Sequence, residues 1–392
     1  MFNVRIVYID NTDIAKNEIE KIGADKGALP WLLPKAVHIA MKLENVSSFA
    51  ANIVKQEMLS KGGDVAVNKG VANFSSEKSD ILIMGTYGQY IKLTEKLMLQ
   101  SGSLKTIGAE IKEALKLYEK KSMRFFQCRD FKLPIGEKTY VMGILNVTPD
   151  SFSDGGSYRC VEAAVKRAKE MVREGAHIID VGGESTRPGH EPVELEEEIR
   201  RVVPVIERLA AELDVPISVD TSKSVVAKKA LEAGAHVVND IWGLQRDREI
   251  AGVAASFGAG VIMMHNRDDK EYKDLMGDII RFLRDSIIIA KNAGIDESAL
   301  AIDPGIGFGK TMEHNIEVLK RLKELKTIGL PILLGTSRKS FIGNTLDLPV
   351  SERVEGTAAT VALGISSGAD IVRVHDVKEM ARVARMTDAV VR

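Results

Sequence analysis

Only two cysteines, Cys128 and Cys160, occur in 392 residues. Two isolated thiols cannot build a disulfide framework or a structural zinc site, and they fit a reducing, cytoplasmic setting. Net charge is nearly absent: 54 Lys+Arg face 55 Asp+Glu. That balance indicates neither a nucleic-acid surface nor a charged tail. Long hydrophobic runs are missing too. The longest apolar stretches are of strand length, well short of a membrane span, and Met1-Phe2-Asn3-Val4-Arg5 shows no secretory apolar region. What remains is a globular chain with an ordinary apolar fraction.

Its length suggests two or three domains, or one large barrel with an extension. From about residue 140 onward, short apolar runs alternate with helical periodicity. The runs at 141–146, 177–181, 217–220, 237–240, 261–265, 299–303, 332–335 and 371–374 read as eight strands. Segments such as 161–174, 195–213, 224–233 and 316–326 read as helices between them. Eight β/α units in roughly 250 residues match a (β/α)8 TIM barrel rather than a doubly wound sheet. The expected fold class is α/β, a barrel over 125–392 preceded by a smaller α/β domain over 1–124. In that leader 3–9 and 80–85 read as strands, and 47–60 and 104–121 as helices. Its Gly85-Thr86-Tyr87-Gly88 reads as a turn, the leader shows no phosphate loop, metal spacing or catalytic constellation, and the one expectation for it is a role in assembly.

Polar residues recur where the eight strands end: Asn146, Glu184, Asp220, Asn239 with Asp240, His265, Asp303, Ser337 with Lys339, and Arg373 with His375. One such residue would ordinarily cap the next helix. Eight in succession converge on one face of a barrel, where barrel enzymes hold their chemistry. The first strand also runs straight into a polar, glycine-closed loop, Met142-Gly-Ile-Leu-Asn-Val-Thr-Pro-Asp-Ser-Phe-Ser-Asp-Gly-Gly156.

That run, with Asp180-Val-Gly-Gly-Glu-Ser-Thr-Arg-Pro-Gly189, closely resembles the two long signatures of dihydropteroate synthase. Shorter pieces follow in the family's order: Ser218-Val-Asp-Thr221, Val238-Asn-Asp-Ile241, Asp303-Pro-Gly-Ile-Gly-Phe-Gly-Lys310, Ser337-Arg-Lys-Ser340 and Arg373-Val-His-Asp376. The resemblance covers about residues 125–392. It implies that p-aminobenzoate displaces diphosphate from 6-hydroxymethyl-7,8-dihydropterin diphosphate. It assigns the pterin pocket to Asp220, Asn239, Asp303 and Lys339. Carboxylates suit the ring's paired donors, an amide offers both donor and acceptor, and Lys339 reaches the ring carbonyl or N5. Arg373 and His375, on one strand face, would take the diphosphate oxygens. Mg²⁺ would bridge those oxygens with Asn146 as a protein ligand. The resemblance places the arylamine's carboxylate at Ser340 and makes Phe308 and Pro188 walls of its slot. Loop residues Phe152, Asp154, Thr186 and Arg187 would close over the site, with Asp154 and Arg187 as a latch. No general base is needed for a neutral arylamine.

Some positions depart from the family pattern. Ile306 stands where an aromatic is expected, Val354-Glu355-Gly356-Thr357 replaces a Gly-Ser pattern, and compact members lack the leader. Alternatives on the same barrel are methyl transfer from methyltetrahydrofolate to a corrinoid, a non-catalytic pterin binder, and a ribosylated amine in place of p-aminobenzoate. The resemblance further implies a homodimer, which the apolar segment 357–365 could serve, and a sulfonamide target.

Overall fold

The computed structural model describes residues 2–119, 124–147, 157–184 and 193–392. The chain divides into two compact units, Met1–Lys121 and Ser122–Arg392. Among the described residues no helix is long and apolar enough to cross a membrane.

The first unit is built on a three-stranded antiparallel sheet. Its strands are β1 (His38–Ser47), β2 (Asp64–Val67) and β3 (Lys78–Thr86), in the order β1-β3-β2. β3 alternates strictly, with Ser79, Ile81, Ile83 and Gly85 buried, so one face is apolar and takes the helices. The helices are α1 (Thr12–Lys21), α2 (Leu29–Ala36), α3 (Ser48–Leu59), α4 (Tyr87–Met98) and α5 (Ser103–Glu119). Val54 and Met58 of α3, Tyr90, Leu93 and Leu97 of α4, and Ile111 of α5 share the core with Ile81 and Ile83. Gly85 to Gly88 is the passage from β3 into α4. Thr86 caps that helix through the Gln89 N–H, while the Gln89 side chain returns to the Thr86 N–H at 2.7 Å. The strand expected at 3–9 does not form. Phe2, Val4, Ile6 and Tyr8 are each more than 80 % exposed, because alternation makes a strand only where a neighbouring backbone is available to pair.

The second unit opens with a hairpin, β4 (Arg124–Cys128) and β5 (Phe131–Ile135), ahead of the strands that the sequence pattern marks. Eight parallel strands follow: β6 (Tyr140–Asn146), β7 (Ile178–Gly182), β8 (Ile217–Asp220), β9 (Val237–Asp240), β10 (Gly260–Met264), β11 (Leu300–Asp303), β12 (Leu333–Leu334) and β13 (Ile371–Val374). Their order is β11-β10-β9-β8-β7-β6-β13-β12, and a parallel bridge from Ile302 to Ile332 joins the two ends. The sheet thus closes into a barrel. The surrounding helices are α6 (Ser157–Glu174), α7 (Leu195–Glu212), α8 (Ser224–Glu232), α9 (Glu249–Phe257), α10 (Leu275–Asn292), α11 (Met312–Lys320), α12 (Ser340–Leu346), α13 (Val354–Ser366) and α14 (Val377–Val391). The helix expected at 316–326 ends early at Lys320 and continues as a 3-10 segment, Leu322–Ile328.

The floor of the barrel is apolar. Met142, Ile178, Val237, Ile262, Ala301, Leu333 and Ile371 form one cluster with Phe126, Cys128 and Ile135 of the hairpin. The Arg129 guanidinium fastens the hairpin by donating to the carbonyls of Leu231 (3.2 Å) and Ala235 (2.9 Å). The buried carboxylates Asp180, Asp220 and Asp303 lie toward the other end.

Candidate active site

Side chains alternate along a strand, so the interior face repeats every second residue. Two residues beyond the floor, the same inward face carries Asp180, Asn239, Asp303 and Arg373 in place of Ile178, Val237, Ala301 and Ile371. Asp220 on β8 stands level with Asn239, and Asn146 on β6 lies one inward step past the level of Asp180. The register pairs Asn146 with Gly182, Gly182 with Asp220, and Asp220 with Asn239. A Cβ built at Gly182 would stand 3.7 Å from both Asn146 Oδ1 and Asp220 Cβ. The missing side chain leaves open space between those two groups.

Arg373 lies across this layer. Its Nε donates to Asp180 Oδ2 at 2.6 Å and its Nη2 to Asp220 Oδ2 at 2.5 Å. Asn239 Nδ2 also donates to Asp180 Oδ2, at 3.2 Å. Burial pushes the Asp220 carboxyl up to about 7, against the opposing pull of Arg373. Burial also raises Asp303, and Lys339 and the Gly305 N–H hold it back. That N–H donates to Asp303 Oδ1 at 2.7 Å. The turn depends on glycine: Gly305 has φ +70°, and a Cβ there would meet the His265 carbonyl oxygen at 1.9 Å.

Lys339 is the N-cap of α12, and its ammonium lies 4.6 Å from the centre of the Phe308 ring and donates to the Ile306 carbonyl. Desolvation lowers it to about 8. The preceding Arg338 holds φ +56°, a left-handed conformation uncommon for a long side chain. Its N–H donates to Thr357 Oγ1 (3.1 Å), its carbonyl accepts from Arg353 (3.0 Å), and its guanidinium pairs with Asp376 (2.9 Å). Those three contacts offset the strain and fix Lys339 in place. Ser337 Oγ takes up both the His375 N–H (3.1 Å) and His375 Nδ1 (3.0 Å). Ser340 is exposed at the start of the seven-residue α12.

The expected residues Asn146, Asp220, Asn239, Asp303, Phe308, Lys339, Ser340, Arg373 and His375 therefore all occur at the carboxyl ends of the strands or in the loops that follow them. Phe152, Asp154, Thr186, Arg187 and Pro188 lie outside the described residues. Other strand-end polar groups serve the scaffold. Asp240 accepts the N–H groups of Trp242 (2.9 Å) and Leu244 (2.7 Å). Glu184 receives Lys223 at 2.6 Å, which also reaches Glu198 (2.5 Å) and the Val193 carbonyl (2.8 Å).

Two groups were missed. Lys310 is buried and donates to His265 Nδ1 (2.9 Å) and the carbonyls of Gly305 (3.0 Å) and Phe308 (3.1 Å), which shapes the loop after β11. Burial brings it down to about 7. Asp180, fully buried, enters the sequence pattern only as the first residue of its motif. An acid inside an otherwise apolar strand was the signal.

The family model for pterin binding enzymes matches residues 142–375. The dihydropteroate synthase of Clostridium beijerinckii is 57% identical over 259 residues, which are 66% of this chain and 96% of that one. The solved dihydropteroate synthase of Clostridium difficile, determined in the presence of pteroic acid, is 56% identical with a TM-score of 0.65. That match spans 66% of this chain and 98% of that chain. A Halobacterium salinarum protein named as a probable bifunctional folylpolyglutamate synthase/dihydropteroate synthase is 40% identical over 97% of this chain and 46% of its own length. It matches the leader as well as the barrel. The chain belongs to the dihydropteroate synthase family of pterin-binding enzymes.

Proposed function

We propose that this barrel performs the dihydropteroate synthase reaction with the strand-end groups in the following roles. The bond from the pterin methylene to diphosphate breaks, a bond from that carbon to the amine nitrogen of p-aminobenzoate forms, and the nitrogen loses one proton. Dihydropteroate and diphosphate are the products. The supporting observation is the layer of Asp220, Asn239, Asp303, Lys339 and Arg373 over an apolar floor. Asp220 and Asp303 are buried acceptors for the heterocycle's donors, and Lys339 is a donor to its carbonyl or N5. Arg373 and His375 serve the departing diphosphate, whose growing negative charge is what catalysis must stabilise.

Among the described residues no cluster of three or more acidic, histidine or cysteine ligands could hold a metal. Mg²⁺ does not require one, because it keeps several waters and takes substrate phosphate oxygens with one or two protein groups. Asn146, facing open space beside Asp220, fits that demand. When bound, the ion would neutralise charge on the diphosphate. Ser340 and Phe308 face the arylamine, with Pro188 completing its slot. Phe152, Asp154, Thr186 and Arg187 contribute from the two loops. The domain division at about residue 124, a homodimeric assembly and a cytoplasmic setting complete the proposal, with the leader acting in assembly.

The test is diphosphate release by the purified chain with Mg²⁺, dihydropterin diphosphate and p-aminobenzoate, with the product identified by mass. Dihydropteroate from wild type and its loss in Lys339→Ala are expected. Pterin binding without product would sink the p-aminobenzoate assignment and favour a ribosylated amine.

A further inference from the structure

Asp180 is wholly inside the barrel and belongs to neither the pterin acceptors nor the diphosphate donors assigned above. Its Oδ2 takes two bonds, from Arg373 Nε at 2.6 Å and from Asn239 Nδ2 at 3.2 Å. The second bond has a chemical consequence. A carboxamide has one donor end and one acceptor end. With one of its two N–H bonds committed to Asp180, the Asn239 amide is held in one orientation and presents Oδ1 and its second N–H in a fixed order. The same carboxylate anchors one edge of the Arg373 guanidinium, whose other edge rests on Asp220. Asp180 Oδ1 and Asp220 Oδ1 are buried and have no hydrogen-bond partner, so the layer holds acceptor capacity aimed inward and unused.

We propose that Asp180 is a positioning residue of the pterin pocket, fixing the orientation of the Asn239 amide and holding Arg373 beside Asp220. This rests on the reading of the barrel as a pterin site. Rotation of the amide would turn its NH₂ toward the pocket and put two acceptors, Asp180 Oδ2 and Asn239 Oδ1, against each other. Asp180 thereby decides which hydrogen-bond pattern the second amide position can read. A ring edge whose donor meets Oδ1 and whose acceptor meets the remaining N–H is accepted, and the reversed order is refused.

The experiment compares the full chain with three variants: Asp180→Leu, Asn239→Asp, and the exchanged pair Asp180→Asn with Asn239→Asp. Binding of 6-hydroxymethylpterin is followed by calorimetry, and KM is measured separately for dihydropterin diphosphate and p-aminobenzoate. Loss of a hydrogen bond to a charged group predicts pterin binding weaker by about ten- to a hundredfold in Asp180→Leu, with the p-aminobenzoate KM within about twofold. Asn239→Asp brings two carboxylates together and is expected to lose at least as much. The exchanged pair restores a donor facing a carboxylate and recovers part of the pterin affinity lost in Asn239→Asp. Should Asp180→Leu not fold, the contrast between Asn239→Asp and the exchanged pair decides alone. Unchanged pterin binding overturns the proposal, as does equal damage to both substrates with a lower melting temperature, or an exchanged pair no better than Asn239→Asp. Wild type that binds pterin but forms no dihydropteroate refutes the reaction and leaves the calorimetric test of Asp180 standing.

Discussion

The lower and upper halves of the barrel use the same eight strands and the same inward face, yet they obey opposite rules. Below, Ile178, Val237, Ala301 and Ile371 pack against the hairpin through Phe126 and Ile135. Two residues along, Asp180, Asn239, Asp303 and Arg373 occupy the equivalent directions. The floor gains stability by excluding polar atoms, at roughly 25 cal/mol for each Å² of apolar surface removed from water. The upper layer concentrates buried charges that each cost free energy to desolvate, compensated by one another and by hydrogen bonds. Placing both on one strand teaches that a barrel separates stability from chemistry by a single 6–7 Å step, about two strand residues.

The sharpest way to break that division is at the upper edge. Lys339→Ala should lower kcat/KM for dihydropterin diphosphate by about a thousandfold, the scale of losing a donor to the reacting system, with little change in melting temperature. A large fall in melting temperature would show Lys339 to be part of the scaffold instead. Next comes the floor. Phe126→Ala should cost about 3 kcal/mol in denaturant unfolding, as expected for a buried aromatic truncation, while KM for both substrates stays near wild type. Altered KM values would show that floor and site are coupled.

The pH profile tests the charged layer directly. Asp220 must be ionised to accept from the pterin, and burial raises it to about 7, so kcat/KM should climb as pH rises through that value. Lys339 must be protonated to donate, and it is lowered to about 8, so activity should fall above it. The expected optimum lies between the two. Asp220→Asn should remove the acid limb, retain the alkaline one, and reduce kcat/KM by about a hundredfold. An acid limb that survives in Asp220→Asn assigns the titration elsewhere.

The smallest effect is expected at Lys223, a charged group of the upper half that does scaffold work. It joins Glu184, Glu198 and the Val193 carbonyl. Lys223→Met should cost about 1 kcal/mol of stability, since the lysine is part-exposed and solvent screens much of the interaction. Denaturant titration reads that loss, and no measurable change would reduce the cluster to surface decoration.

Local chemistry decided much of this protein. Strand and helix alternation after residue 140 specified the barrel, because burial on both faces of a parallel strand writes an unbroken apolar run. The eight strand-end polar groups could be picked out for the same reason: a charge interrupts that run. Sequence could not reveal the hairpin 124–135 as the floor's plug, since its pattern matches any short antiparallel pair. It also over-read residues 3–9, where alternation finds no partner. The roles of Asp180 and Asp240 show the limit most clearly, for both end or interrupt a strand as an acid. Asp180 points inward to Arg373 and Asn239, whereas Asp240 turns to two backbone N–H groups in its own loop. Residue type and spacing thus determined the fold and the set of candidate groups. Only closure of the sheet decided which of them meet, because side chains as far apart in the chain as Asp180 and Arg373 become partners through the curvature of the barrel, a property no local segment carries.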